Sequence, residues 1–126
     1  MKRVLIVEDE LIVAMDIERM LVAFGHEVCE KVSLGERALE VVEAKRPDLI
    51  LMDINLKGKL DGIETARLIK SRFDIPIIFI TASVEDKVKG WKDELKVSDY
   101  IKKPVDKNDL KTKVEKALEN VSRGTS

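Results

Sequence analysis

Short apolar runs alternate along this chain with longer segments in which apolar residues recur at helical spacing. The clearest runs occupy residues 4–7, 49–52 and 77–80, and a shorter one occupies residues 100–101. Runs of this length, rich in β-branched side chains, are typical of buried strands in a parallel sheet. A weaker strand is predicted at residues 27–32. The pattern therefore predicts five strands.

The segments between these runs predict five helices. Gly25 is a plausible C-cap for the first helix, whose apolar positions include Leu11 and Met15. Ser33 and Glu36 form a capping-box pattern at the start of the second helix, which ends before Pro47. The predicted helices span residues 11–24, 33–46, 61–72, 85–95 and 107–121.

Strands that alternate with helices predict an α/β fold with a doubly wound parallel sheet of five strands. We expect a single domain over residues 1–121, followed by a flexible C-terminal tail at residues 122–126. In the common strand order 2-1-3-4-5, ligands bind at the switch point between the first and third strands. That order would bring the C-terminal ends of the first, third, fourth and fifth strands to one edge.

A reactive side chain follows each of these four strands. The acidic pair Glu8 and Asp9 follows the first, Asp53 the third, Thr81 the fourth and Lys103 the fifth. Carboxylates packed together repel one another unless a cation neutralises them, and hard oxygen ligands suit Mg²⁺. The sheet edge therefore predicts phosphoryl and metal chemistry.

Composition narrows the choice of function. The 23 basic and 24 acidic residues nearly cancel, so no global field favours direct nucleic-acid binding. No apolar stretch approaches the length of a membrane span, and a strand begins within two residues of the N-terminus, where a signal peptide would lie. The single cysteine, Cys29, excludes an internal disulfide and suits a reducing compartment. We expect a cytoplasmic protein without membrane contact.

The combination of these motifs resembles the receiver domain of two-component response regulators, the CheY-like fold with strand order 2-1-3-4-5. The resemblance implies that Asp53 is the phosphoacceptor in a phosphorelay and that Mg²⁺ is the cofactor. It implies Asp9, Asp53 and the backbone carbonyl of Asn55 as direct metal ligands, with Glu8 acting directly or through water. We expect Glu10 to contribute only to the acidic start of the first helix.

The resemblance also implies a phosphorylation-dependent switch. Thr81 and Lys103 would contact the phosphoryl group, Tyr100 would change its ring position, and the bond between Lys103 and Pro104 would be cis. The protein would be a signalling switch that catalyses only its own phosphorylation and dephosphorylation, so it is not expected to be an enzyme acting on other substrates. Asn55 and Ser83 would influence the rate of hydrolysis.

The implied partners are a histidine kinase or a phosphotransfer protein, and an output partner or a domain of a longer parent protein. The readout would be the face formed by the fourth helix, fifth strand and fifth helix. Phosphorylation-dependent homodimerisation stays open. So does the role of an isolated receiver module of a larger regulator or hybrid kinase, or of a phosphorylation-independent interaction module.

Two other classes fit less well. A haloacid-dehalogenase-type phosphatase needs a second acid two residues after the aspartate, where this chain has Asn55. An FMN-binding flavodoxin-like carrier needs a phosphate loop after the first strand, where this chain has acidic residues.

The chain departs from the receiver pattern in two places. The loop at residues 55–62 has no proline and is one residue longer than usual. Lys96 and Val97 replace a common Gly-Ala pair before the fifth strand, so we expect the fourth helix to end in another conformation, because the left-handed region is costly for Lys and Val.

Overall fold

A computed structural model describes the backbone of residues 2–82 and 86–124, and side chains within residues 2–82 and 88–119. The sequence suggested that Ser83 influences hydrolysis and that a helix begins at Glu85. Both residues lie outside the described part of the chain. The strands are β1 (Arg3–Val7), β2 (Glu27–Val32), β3 (Leu49–Asp53), β4 (Ile77–Thr81) and β5 (Asp99–Lys102). The helices are α1 (Leu11–Ala23), α2 (Gly35–Lys45), α3 (Gly62–Arg72), α4 (Asp86–Leu95) and α5 (Lys107–Gly124).

The five strands form one parallel sheet in the order β2-β1-β3-β4-β5, which confirms the predicted fold class. Residues that alternate along each strand face opposite sides of the sheet. In β1, Leu5 and Val7 belong to the core cluster that contains residues of α2, α3 and α4, whereas Val4 and Ile6 belong to the cluster that contains residues of α1 and α5. The sheet is therefore buried on both faces, as its continuous apolar runs indicated.

The buried face of α1 differs from the pattern suggested by its apolar residues. Ala14, Ile17 and Leu21 are buried, whereas Leu11 and Met15 are exposed. The buried residues follow helical spacing, and Leu11 lies about a quarter turn and Met15 about a third of a turn from the middle of the face they form. The apolar residues at the start of α1 therefore face outward.

The predicted capping box at α2 is wrong. Leu34 is the N-cap of this helix, and no side chain caps it. The Glu36 carboxylate instead accepts a hydrogen bond from the Leu60 backbone N–H at 3.3 Å, in the loop before α3. A capping box does form at α3, where the side chains of Asp61 and Glu64 each accept from the other's backbone N–H.

Two helix ends also differ from expectation. Lys96 follows α4 with a φ of 54°, so the chain enters the left-handed region without glycine. The prediction that this helix would end in another conformation is therefore wrong. Helix α5 continues to Gly124, beyond its predicted end at residue 121. The division into a domain and a tail stays a prediction.

Candidate functional site: an acidic cleft at the carboxyl edge of the sheet

The pairing register aligns the carboxyl ends of β1, β3, β4 and β5. Val7 lies opposite Met52, and Thr81 lies opposite Lys102. The reactive positions therefore lie at one edge of the sheet: Asp53 and Thr81 end their strands, and Glu8 and Lys103 come directly after theirs. Glu8 and Asp53 come next to one another because β1 and β3 are neighbours across the switch point.

Backbone hydrogen bonds continue past the ends of the strands at this edge of the sheet and hold the residues that follow them. Glu8 N–H donates to Val32 O at 2.9 Å, and Lys103 N–H donates to Thr81 O at 2.7 Å. The peptide bond that follows Lys103 is cis, as the resemblance implied. The backbones that carry Glu8 and Lys103 are thus tied to neighbouring strands.

Gly62 allows α3 to approach the phosphoacceptor position closely. A Cβ on this glycine would lie 2.0 Å from the backbone oxygen of Asp53 and 2.7 Å from Ile54 Cα. Its backbone N–H donates to Ile54 O at 2.9 Å. The start of α3 therefore packs directly against the backbone at the end of β3, where no side chain fits.

The Lys103 ammonium lies among three carboxylates. Its Nζ is 2.9 Å from Glu8 Oε1, 3.3 Å from Glu10 Oε1 and 3.5 Å from Asp53 Oδ2. The side chains of Glu8 and Asp53 are 0% and 4% exposed, whereas that of Glu10 is 65% exposed. One cation thus joins two buried acids and one exposed acid.

Burial raises the pKa of Glu8 from its ordinary value of 4.5 to about 7. The nearby Asp53 carboxylate adds to the rise, while the Lys103 ammonium and the Glu10 backbone N–H oppose it. Burial pulls the pKa of Lys103 down, but the surrounding carboxylates outweigh it and raise that pKa above its ordinary value. The surroundings therefore stabilise the protonated form of each of the two groups relative to the same group in water.

The acidic residues after β1 offer oxygen ligands for a metal. Glu8, Asp9 and Glu10 each offer one carboxylate oxygen, and these three oxygens lie within 4.8 Å of one another. A cleft of about 340 Å³ opens beside Glu8 and Asp9 and is also lined by Lys31. With Asp53, the edge carries four carboxylates against one ammonium at its centre. A hard divalent cation fits this donor set, because it would neutralise charge that Lys103 alone leaves uncompensated.

The other predicted site residues lie around this centre. Asn55 N–H donates to Asp53 Oδ1 at 3.0 Å, which orients the carboxylate. Thr81 is buried at the end of β4. Tyr100 is half-buried in β5, and Lys113 Nζ donates to its backbone oxygen at 2.8 Å. The structure thus places Glu8, Asp53 and Lys103 in direct contact, with Asn55 beside them.

Sequence reasoning missed the position of Glu10. This residue is the N-cap of α1, but its side chain makes no capping hydrogen bond and reaches Lys103 instead. Its place as the third acid in a row after β1 is a signal that could have indicated this contact. The helix-dipole interpretation used only the charge of Glu10 and its position beside α1, and this local information does not reveal the contact with Lys103.

The fold and site together define a class: a doubly wound parallel α/β domain with a buried aspartate, an acidic cluster and a lysine at its switch point. The family model of the response regulator receiver domain matches residues 4–115. The chain therefore belongs to the response regulator receiver domain family.

Known proteins agree with this assignment. The transcriptional regulatory protein PdtaR of Mycobacterium tuberculosis is 36% identical over 118 residues, which cover 93% of this chain and 57% of PdtaR. The N-terminal domain of a response regulator/sensory box/GGDEF three-domain protein from Carboxydothermus hydrogenoformans superposes with a TM-score of 0.89 at 36% identity, covering 99% of this chain and all of that domain. The BeF3-activated receiver domain of RstA from Klebsiella pneumoniae superposes with a TM-score of 0.84 at 31% identity, covering 92% and 97% of the two chains.

The chain spans about half the length of the curated relatives it matches, with coverage of 57% for PdtaR and 51% for the probable transcriptional regulator ycf27 of Cyanophora paradoxa. No helix in the described part of the chain is long and apolar enough to cross a membrane.

Proposed function

We propose that this receiver domain accepts a phosphoryl group on Asp53 from a phosphohistidine of a histidine kinase or phosphotransfer protein. An Asp53 carboxylate oxygen would attack phosphorus, the N–P bond would break, and the imidazole of the donor would leave. The product would be an aspartyl phosphate. The observation that carries this proposal is the buried Asp53 carboxylate with an ammonium 3.5 Å away and acidic residues directly after the neighbouring strand.

The donor set supports Mg²⁺ as the cofactor. Asp9, Asp53 and the Asn55 carbonyl would hold it, with Glu8 contributing directly or through water. When bound, Mg²⁺ would supply positive charge to the phosphoryl oxygens during transfer. Burial of Glu8 and Asp53 supports this assignment, because buried carboxylates need a nearby cation to stay ionised.

The switch residues would respond to the new charge on Asp53. Lys103 would pair with a phosphoryl oxygen, and the Thr81 hydroxyl would donate a hydrogen bond to another. Movement of Thr81 would free space for the ring of Tyr100 and favour a second packing of α4, β5 and α5. Hydrolysis of the aspartyl phosphate would return the domain to its first state.

This function is that of a signalling switch in the cytoplasm rather than of an enzyme with an external substrate. The output would pass to a partner protein or to another domain of a parent protein, without direct contact to nucleic acid or membrane, and a phosphorylation-dependent homodimer is one form it could take. The complete set of acid pair, Asp53, Thr81 and Lys103 argues against a phosphorylation-independent module.

Intact mass measurement tests the proposal. The protein is incubated with Mg²⁺ and acetyl phosphate, and wild type is compared with Asp53→Asn. We expect one added phosphoryl group on wild type and none on the variant. An unmodified wild type, or equal modification of both proteins, would contradict the role of Asp53.

A further inference from the structure

Glu10 is tied to the centre of the site by both its backbone and its side chain. Its backbone N–H donates to Glu8 Oε2 at 3.1 Å, and its carboxylate Oε1 lies 3.3 Å from Lys103 Nζ. Its side chain makes no capping hydrogen bond to the helix N–H groups, although its extended backbone, with φ −92° and ψ 108°, is the usual conformation of a capping residue. The contact with Lys103 thus replaces the usual role of an acid at this position.

The three carboxylates compete for one ammonium. Lys103 Nζ is closer to Glu8 and Glu10, at 2.9 and 3.3 Å, than to Asp53, at 3.5 Å. Glu8 is enclosed just after β1, whereas Glu10 is exposed, so a buried and a solvent-exposed carboxylate both hold the ammonium. A phosphoryl group on Asp53 would have to draw Lys103 toward itself against both of them.

The geometry points to Glu10 as a positioning residue that holds Lys103 in the unphosphorylated state and competes with the phosphoryl group for its ammonium. This inference rests on the proposed function of Asp53 and Lys103. It assigns to Glu10 a regulatory effect on the stability of the phosphorylated state. Because Glu10 is exposed, its pairing is of the surface type, and we expect a roughly two- to fivefold effect on the equilibrium.

The test measures the affinity of the phosphoryl mimic trifluoroberyllate by ¹⁹F NMR, at a Mg²⁺ concentration shown to saturate each variant. We expect Glu10→Gln to bind the mimic roughly two to five times more tightly than wild type. Glu27→Gln, the same change at an exposed position on β2, is the matched control and should leave the affinity unchanged.

A double-mutant cycle separates positioning of Lys103 from simple repulsion of an anion by Glu10. Glu10→Gln is also made in a Lys103→Met background. If Glu10 acts through Lys103, the gain in affinity disappears in that background. An equal gain in both backgrounds, no gain, or a loss in the wild-type background would overturn the inference.

Two further measurements complete the test. In Mg²⁺-free protein, ¹⁵N NMR should show faster hydrogen exchange of the Lys103 ammonium in Glu10→Gln than in wild type, and an unchanged rate would contradict the hold of Glu10 on Lys103. Asp53→Asn reports separately on the proposed function. If wild type fails to bind the mimic, or Asp53→Asn binds it equally well, the proposed function itself fails; if only the Glu10 results fail, the proposed function stands.

Discussion

Lys103 Nζ lies 2.9 Å from Glu8 Oε1, and this contact joins the end of β5 to the end of β1 across the carboxyl edge of the sheet. The Glu8 side chain is fully enclosed, whereas 17% of the Lys103 side chain is exposed. The lysine, which is itself partly exposed, therefore pairs with a carboxylate that water does not contact. The same ammonium also pairs with Asp53 and Glu10, so it only partly offsets the cost of burying the Glu8 carboxylate.

The stability of the metal-free protein should fall as pH rises from about 4.5 to about 7. Burial raises the pKa of Glu8 in the folded state from 4.5 to about 7, so the folded state binds the proton more tightly than the unfolded state does. This contribution to stability is fully present below the pKa of Glu8 in the unfolded state. It is lost as pH rises through the pKa of Glu8 in the folded state, and the total change in the free energy of unfolding is about 3 kcal/mol. Urea unfolding in chelator across this range measures the free energy of unfolding.

The matched variant for this prediction is Glu8→Gln. It should lack this component of the pH dependence and should be more stable than wild type above about pH 7. The difference between the two proteins isolates Glu8 from His26, whose pKa is lowered mainly by burial and which contributes with the opposite sign to both. Parallel stability curves for the two proteins would contradict the assignment to Glu8.

Magnesium should stabilise the folded protein, and Asp9→Asn should remove most of that stabilisation. A ligand that binds only the folded state stabilises it by about 2.7 kcal/mol at about 100 times its Kd. Thermal unfolding with increasing Mg²⁺ measures the effect. Asp93→Asn, at an exposed position on α4, removes the same charge away from the cleft and should respond like wild type. A full Mg²⁺ response in Asp9→Asn would exclude Asp9 as a ligand.

Gly62→Ala and Gly90→Ala should have opposite effects on the free energy of unfolding. A Cβ at Gly62 would lie 2.0 Å from Asp53 O, so backbone must move, and we expect a loss of about 3 kcal/mol or more. A Cβ at Gly90 meets nothing within 4 Å, and in the helix α4 alanine should stabilise by up to about 1 kcal/mol. Denaturant unfolding of both variants measures these changes, and a harmless Gly62→Ala would contradict the close approach of α3 to β3.

The strand ends were predictable from sequence because two strong signals coincide there. A buried parallel strand has a continuous apolar run, so the first polar residue after it marks the edge of the sheet. Glu8 and Asp53 are the first polar residues after such runs, Lys103 is the second after its run, and the structure brings these three together. The order of the strands followed from the family resemblance rather than from the apolar pattern.

Contacts between loops and helix ends were less predictable. Glu36 fitted a capping box by spacing alone, but its carboxylate contacts Leu60, a residue from a loop that is remote in sequence. Glu10 likewise fitted the helix dipole, whereas its partner Lys103 comes from the far end of the chain. Local sequence patterns indicate which nearby backbone groups a side chain can hydrogen-bond. In the folded protein a partner that is remote in sequence can take their place.

Lys96→Gly should stabilise the protein more than Arg46→Gly does. Both residues follow a helix in the left-handed region, with φ values of 54° and 46°, where a side chain costs about 1 kcal/mol relative to glycine. The Arg46 guanidinium, however, lies 4.6 Å from the centre of the Phe73 ring, and glycine would remove that cation–π contact. We therefore expect a gain of up to about 1 kcal/mol for Lys96→Gly and a smaller gain or a loss for Arg46→Gly. Thermal or urea unfolding of the two variants measures these changes in stability. Destabilisation by Lys96→Gly would show that the left-handed conformation of Lys96 does not strain the fold.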